Sequence, residues 1–187
     1  MKQLQNWYKT TIDTGQALNP LWRWPTVDKN TNVWGKTPSE VFDQQWLNHL
    51  DDLGIAVDWI LIFYRPSGFQ HQTAHIDVNG NEIETSALNL IVGGKHSEMR
   101  WYRRPDQPIK RSYNDKGIPY IPFALNQLEE IQRAELGGGL SLVRVDIPHA
   151  VFVADEPRWC ISLRSKTRFA SWQSAVESFD QRGLLLT

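Results

Sequence analysis

The stretch QTAHIDVNG, residues 72–80, sets His75 and Asp77 two positions apart, after an apolar run and before a turn. On a strand, side chains at i and i+2 share a face, so the imidazole and the carboxylate point the same way while Ile76 points away. Such a pair is aligned on one cation. A redox-active iron site of the two-histidine, one-carboxylate type needs one further imidazole and leaves positions open for a co-substrate and oxygen. The chain holds five histidines. His49 falls in an expected helix, His71 in the loop before the pair and His96 in the polar turn GGKHSE, and all three read as solvated or structural. His149, in VDIPHAVFV, opens a β run far along the chain, where a closed β structure can return it to the first pair. Arg158 follows it by nine residues, beyond the turn ADEP, and begins a run in which Ser162 and Arg164 share its face by parity. Arginine suits a bidentate grip on a carboxylate. These residues therefore describe a metal triad with a carboxylate receptor one strand away. The competing expectation is blander: a lone His-x-Asp is usually a surface pair, and either arginine could form a salt bridge with Asp155 or Glu156.

The elements that must place these residues are legible in outline. TPSEVFDQQWLNHLDDLG predicts a helix, with Thr37 or Ser39 as cap, apolar residues at helical spacing and Gly54 as its end. The rest of the tryptophan-rich segment 1–54 predicts loops and short helices packed on a core. From residue 55 the pattern becomes β. IAVDWILIFYRP, TAHIDV, ALNLIV, MRWYRR, LSLVRVDIP, AVFVA and RWCISLRSK are short β-rich runs separated by Gly, Pro, Asn and Asp, the pattern of a barrel or sandwich. PFALNQLEEIQRAELGGG predicts one inserted helix or helical turn. The fold class is α+β with a mainly β core, in a single domain over 1–187: the N-terminal segment, a β core over 55–170 and a C-terminal tail over 171–187.

Composition narrows the function classes. The 187 residues are 41% hydrophobic and 22% charged with a formal net charge of -1, the profile of one soluble globular domain. A chain this long buries roughly 70% of its unfolded surface. It needs no structural metal, and a metal site is expected to be functional. Near-neutral charge gives no phosphate-binding excess, so a nucleic-acid partner is not expected. No apolar leader and no membrane-length run appear, so neither export nor a membrane anchor is expected. The single cysteine, Cys160, excludes a disulfide framework, fits a reducing, cytoplasmic setting and reads as a small buried residue.

HID followed by HAVFVADEPR, with ALNLIV and WY between them, resembles the Fe(II)/2-oxoglutarate-dependent oxygenases, whose pattern is His-x-Asp, a distal His and an Arg nine to eleven residues later. The likeness covers roughly residues 57–166. ALNL and WY look like small prokaryotic and phage members, and HAVFVADEPRWCISL is similar to the distal half of aspartyl/asparaginyl and prolyl hydroxylase motifs. The resemblance implies a double-stranded β-helix (jelly-roll, cupin-like) core. It implies that His75, Asp77 and His149 hold Fe(II) and that Arg158 binds the distal carboxylate of 2-oxoglutarate, with Arg164 as its rival. Ser162 or Tyr102 could give that carboxylate a hydroxyl, and Asn89 could face the co-substrate. The implied reaction uses dioxygen to hydroxylate a C–H bond of a small polar metabolite such as an amino acid, releasing succinate and carbon dioxide.

Other features carry weaker expectations. Most of the nine tryptophans belong to the core, with Trp101 and Trp159 as candidate pocket walls. RWYRRPDQPIKR, residues 100–111, reads as a solvated hairpin and flexible loop, or as a lid or electropositive rim. It also keeps open a nucleotide- or oligonucleotide-directed demethylase. The alternative class is a cupin-type metal-dependent isomerase, epimerase or binding module. Such sites carry more histidines and a glutamate, which the sequence does not place near the pair.

Overall fold

All seven expected β runs are strands in the computed structural model, which describes residues 4–28, 33–106, 108, 110–166 and 168–186. In chain order the elements are β1 (Trp7–Lys9), β2 (Val33–Lys36), α1 (Pro38–Val41), α2 (Gln44–Asp52), β3 (Val57–Arg65), β4 (Thr73–Asn79), β5 (Glu82–Ile83), β6 (Ser86–Gly93), β7 (Glu98–Tyr102), β8 (Ser112–Tyr113) and β9 (Pro119–Ala124). After a 3-10 turn (Leu125–Gln127) come β10 (Glu130–Glu135), β11 (Gly139–Arg144), β12 (His149–Phe152), β13 (Arg158–Ser165) and α3 (Trp172–Gln181). Two antiparallel sheets result. One runs β1-β11-β6-β13-β3-β2, the other β10-β7-β12-β4-β9-β8 with β5 on β4. From β3 the chain crosses repeatedly between them, so residues distant in sequence become neighbours.

Side-chain parity sorts the first sheet into two faces. Ile60 and Ile62 of β3, Leu88 and Leu90 of β6, Leu140 and Leu142 of β11, and Ile161 and Leu163 of β13 pack outward in one cluster with Val41, Trp46 and Leu50 from α1 and α2 and with Trp172, Ala175, Val176 and Phe179 from α3. Each fully buried aliphatic side chain there contributes on the order of 2 kcal/mol. The opposite parity faces the second sheet, where Ala87, Ile91, Met99, Trp101, Val143 and Cys160 form a second cluster. The helices thus seal one face and leave the space between the sheets for polar residues of β13 and β4.

Four expectations change in detail. The helix predicted from Thr37 to Gly54 is two helices, because Phe42 is extended and Asp43 caps α2, its carboxylate accepting from Gln45 N at 2.8 Å. The N-terminal segment supplies strands as well as loops: β1 and β2 form the edges of the first sheet. The insert after Phe123 keeps only a three-residue 3-10 turn. Its remainder is β10, whose alternating exposure fits an edge strand paired with β7. Residues beyond 170, expected as a tail, form α3, capped by Ser171. No helix among the described residues is long and apolar enough to cross a membrane.

Candidate metal centre

His75 and Asp77 project from β4 toward the first sheet, while Ala74, Ile76 and Val78 alternate to the other face and pack with outer-layer residues. His149 is the first residue of β12 and stands directly opposite His75 in the antiparallel register. The imidazole centroids lie 4.5 Å apart, and one ligand atom from each of His75, Asp77 and His149 falls within 4.8 Å of the others. This group could hold a metal ion. Asp77 Oδ1 lies 3.4 Å from His75 Nε2 and 3.6 Å from His149 Nε2. His149 Nδ1 meets the Ile147 carbonyl at 3.0 Å. A carbonyl only accepts, so Nδ1 carries the proton and Nε2 keeps its lone pair for a metal. Burial, reinforced by His75, pushes the His149 imidazolium down to about 4, so the ring is neutral and ligand-ready at neutral pH.

The second oxygen of Asp77 is held from behind. Arg164 Nη2 donates to Asp77 Oδ2 at 2.7 Å, and Arg164 Nη1 donates to Glu84 Oε2 at 2.6 Å. The three side chains are 4% (Arg164), 15% (Asp77) and 13% (Glu84) exposed. Burial opposes charge on Asp77, but the Arg164 guanidinium, aided by His75 and His149, more than offsets it and holds the carboxyl well below its usual range. Arg164 is likewise held charged: burial opposes it, and the two carboxylates outweigh burial. Arg164, the rival co-substrate receptor, is therefore engaged with a candidate ligand. Its partners are also not the expected ones, since Asp155 lies by His96 and Glu156 accepts from Lys95 N. Glu84 was not legible as a site residue, because it follows a turn and carries no spacing signal.

Arg158 is 4% exposed, lies against the Cys160 thiol and has no carboxylate partner among the described residues. Burial depresses its pKa. Its stem passes Gly94, where an added Cβ would stand 2.7 Å from Arg158 Cγ at a backbone φ of +72°. Arg158, Asn89, Ser162 and Cys160 line a cavity of about 60 Å³ that reaches His75, Asp77 and His149. Within it the Asn89 side-chain oxygen is buried without a partner, an unmet polar demand that a bound polar molecule could satisfy. A second cavity, of about 210 Å³, opens on the other side of the triad between Trp59, Leu61 and Tyr120. The Asn114–Gly117 turn borders it, with Asn114 Oδ1 accepting from Ile118 N at 2.9 Å.

Other expected residues lie elsewhere. Tyr102 faces away from both cavities and is buried with Ala74 and Ala150 on the outer side of β7, since its parity is opposite to that of Met99 and Trp101. It cannot give its hydroxyl to a ligand beside Arg158. Trp101 is fully buried in the core, donating Nε1 to Arg144 O at 2.9 Å, and Trp159 packs against Trp24, Trp34 and Tyr64 on the helix side of the first sheet. Neither tryptophan lines either of these two cavities. His49 and His96 are exposed, whereas His71 lines both cavities, 6.0 Å from His75 between centroids, with its imidazolium pushed down to about 2 chiefly by burial. In the 100–111 segment, Gln107 and Ile109 lie outside the described residues. Arg100 pairs with Glu98 and Arg103 with Glu129, both at 2.7 Å, so two of the segment's five cations meet a carboxylate.

No protein-family model and no curated protein matches the chain.

Proposed function

We propose that the protein is an Fe(II)- and 2-oxoglutarate-dependent oxygenase that hydroxylates an unactivated C–H bond of a small polar metabolite such as an amino acid. The observation that carries this reading is the convergence of His75, Asp77 and His149 on one point, next to the buried Arg158, which meets no carboxylate among the described residues. The crossing of strands between two sheets, with β11-β6-β13-β3 opposed to β10-β7-β12-β4, supports the jelly-roll arrangement of a double-stranded β-helix. The donor set, two imidazoles and one carboxylate, fits a non-haem Fe(II) centre.

Bound iron would supply the redox chemistry that couples decarboxylation of 2-oxoglutarate to oxidation of the substrate. The remaining work falls to the chain. Ile147 sets the His149 tautomer, and Arg164 with Glu84 fixes Asp77 so that Oδ1 faces the imidazoles. Arg158 receives the distal carboxylate of the co-substrate, with Ser162 and Asn89 beside it. Met99, Val145 and Val151 line the same cavity and limit water.

The test needs no substrate. Fe(II) and 2-oxoglutarate added anaerobically to metal-free protein are expected to give a visible charge-transfer band that depends on both and is lost in His149→Ala. Iron binding without the band would sink the oxygenase reading and favour the second one, a cupin-type isomerase, epimerase or binding protein. One observation favours that alternative: His71 places a further imidazole beside His75, which the sequence did not anticipate.

A further inference from the structure

The two cavities meet at the candidate triad and share Phe63, Arg65, His71, His75, Asp77 and Arg164. Contacts within the chain account for all of these side chains but one. His75 and Asp77 belong to the group that could hold a metal. Arg164 donates to Asp77 and Glu84, and Arg65 donates Nη1 to the Tyr64 carbonyl at 2.7 Å, with its guanidinium 5.9 Å from the Phe63 ring centroid. His71 is the exception. Its ring stands edge-on to Phe69, with centroids 4.8 Å apart, and its centroid lies 6.0 Å from that of His75. Among the described residues neither of its nitrogens meets a hydrogen-bond partner, and neither is sealed from open space as the orphaned Asn89 oxygen is. Both also fall outside the metal-binding group.

The connection that carries His71 is tied to the end of β12 and the turn after it. Gly68 N donates to the Ala154 carbonyl at 2.8 Å, Val153 N donates to the Phe69 carbonyl at 2.9 Å, and Gln70 forms a bridge with Phe152. An imidazole held in this way meets a ligand at low ordering cost. A neutral ring offers one donor and one acceptor. No neighbour fixes which His71 nitrogen carries the proton, so a ligand group that can both donate and accept, a hydroxyl or a carboxamide, satisfies either tautomer. A carboxylate only accepts and an ammonium only donates. Arg65, Arg164 and Asp77 border the same junction, so a ligand charge of either sign meets a like charge there. The larger cavity, of about 210 Å³, adds apolar and aromatic walls from Trp59, Leu61, Ile118, Pro119 and Tyr120. Pockets of this kind hold an apolar body and orient it through a few polar groups.

We infer that His71 is a specificity-determining residue that hydrogen-bonds a hydroxyl or carboxamide of the substrate, whose apolar body lies against Trp59, Leu61 and Tyr120. The inference rests on the oxygenase reading for the reaction performed, since it names the substrate class of that same site. His71 then pins the polar group at the junction and leaves the C–H bonds of the apolar body beside the triad.

Nuclear magnetic resonance with benzyl alcohol and toluene as probes tests this at about pH 8, above the imidazole reference near 6.5. Metal-free protein and protein loaded with Zn(II) and 2-oxoglutarate are both titrated. In the unaltered protein the ring nitrogen signals of His71, assigned through the backbone, are expected to move with the alcohol far more than with toluene. Equal movement with the two probes overturns the proposal, as does failure of the alcohol to bind at millimolar concentration, and neither result needs a variant to fold. Comparing the alcohol-to-toluene affinity ratio between proteins cancels the difference in solvation of the probes. That ratio should fall about fivefold in His71→Phe, the worth of one neutral hydrogen bond, and recover in part in His71→Gln, which keeps a donor and an acceptor. An unchanged ratio in folded His71→Phe overturns the proposal. So does a loss of about tenfold or more in Zn(II) affinity in that variant, which would make His71 a metal ligand instead. The oxygenase reading fails separately, through the Fe(II) and 2-oxoglutarate band, so a His71-dependent alcohol preference without that band leaves the ring reading a ligand for another chemistry.

Discussion

The Asp77–Arg164–Glu84 chain is where single residues have the largest expected effects. Arg164→Met removes the cation that pairs with two largely buried carboxylates, so uncompensated charge is left behind. A loss of about 3–5 kcal/mol of stability is expected, together with a fall of roughly 10–100-fold in Fe(II) affinity as Asp77 loses its fixed orientation. Urea unfolding and metal titration check the two effects, and full metal affinity in a folded variant would remove Arg164 from the support of the site. Gly94→Ala acts on the neighbouring arginine instead. A Cβ there meets both the φ of +72° and the Arg158 stem, so 2-oxoglutarate binding should weaken while Fe(II) affinity stays within about twofold, read by titrating each ligand separately. Residue types made His75, Asp77, His149 and Arg158 candidates. They could not announce Glu84 or His71, whose roles come from what the fold puts beside them.

At the level of elements, the helices and the site sit on opposite faces of one sheet, and stability and binding should separate accordingly. Leu50 of α2 is fully buried in the cluster on the helix side, so Leu50→Ala is expected to cost about 2–5 kcal/mol. Asp43→Ala, which removes the α2 cap, should cost about 1 kcal/mol. Neither should change metal affinity, and denaturant midpoints measured beside metal titrations would reveal any coupling between helix packing and the triad. The strands were legible because period-2 and continuous apolar runs are local signals. The break between α1 and α2 was half visible, since Asp43 is a good cap standing inside an otherwise helical pattern. The insert that became β10 misled for the opposite reason: Leu125, Leu128 and Ile131 suit a helix, and the open edge of β7 recruited the segment as a strand.

For the whole molecule, the buried imidazoles set an acid limit in the metal-free state. His149 titrates at about 4 in the folded protein, against a reference of about 6.5 for an unhindered imidazole, so between those values the unfolded chain binds the proton first. Stability is therefore full above about pH 6.5 and falls as the pH drops toward 4, by on the order of 3 kcal/mol for this residue. His71 has the same sign. Asp77, depressed in the folded state, withdraws its own contribution only once the pH falls below the carboxylate reference near 4. Melting temperatures of chelator-treated protein at pH 7, 6, 5 and 4 should decline across that range, and a flat profile from 7 to 4 would contradict buried, neutral histidines. By itself the sequence determined the β-rich class, the strand on which His75 and Asp77 share a face, and the arginine-bearing strand after His149, because alternation and residue chemistry act over a few positions. Only the tertiary structure decided that His149 lies opposite His75, that Arg164 serves Asp77 while Arg158 stands apart, and that Tyr102 turns away. Those outcomes depend on register between strands far apart in sequence, where one step of parity moves a side chain to the other face.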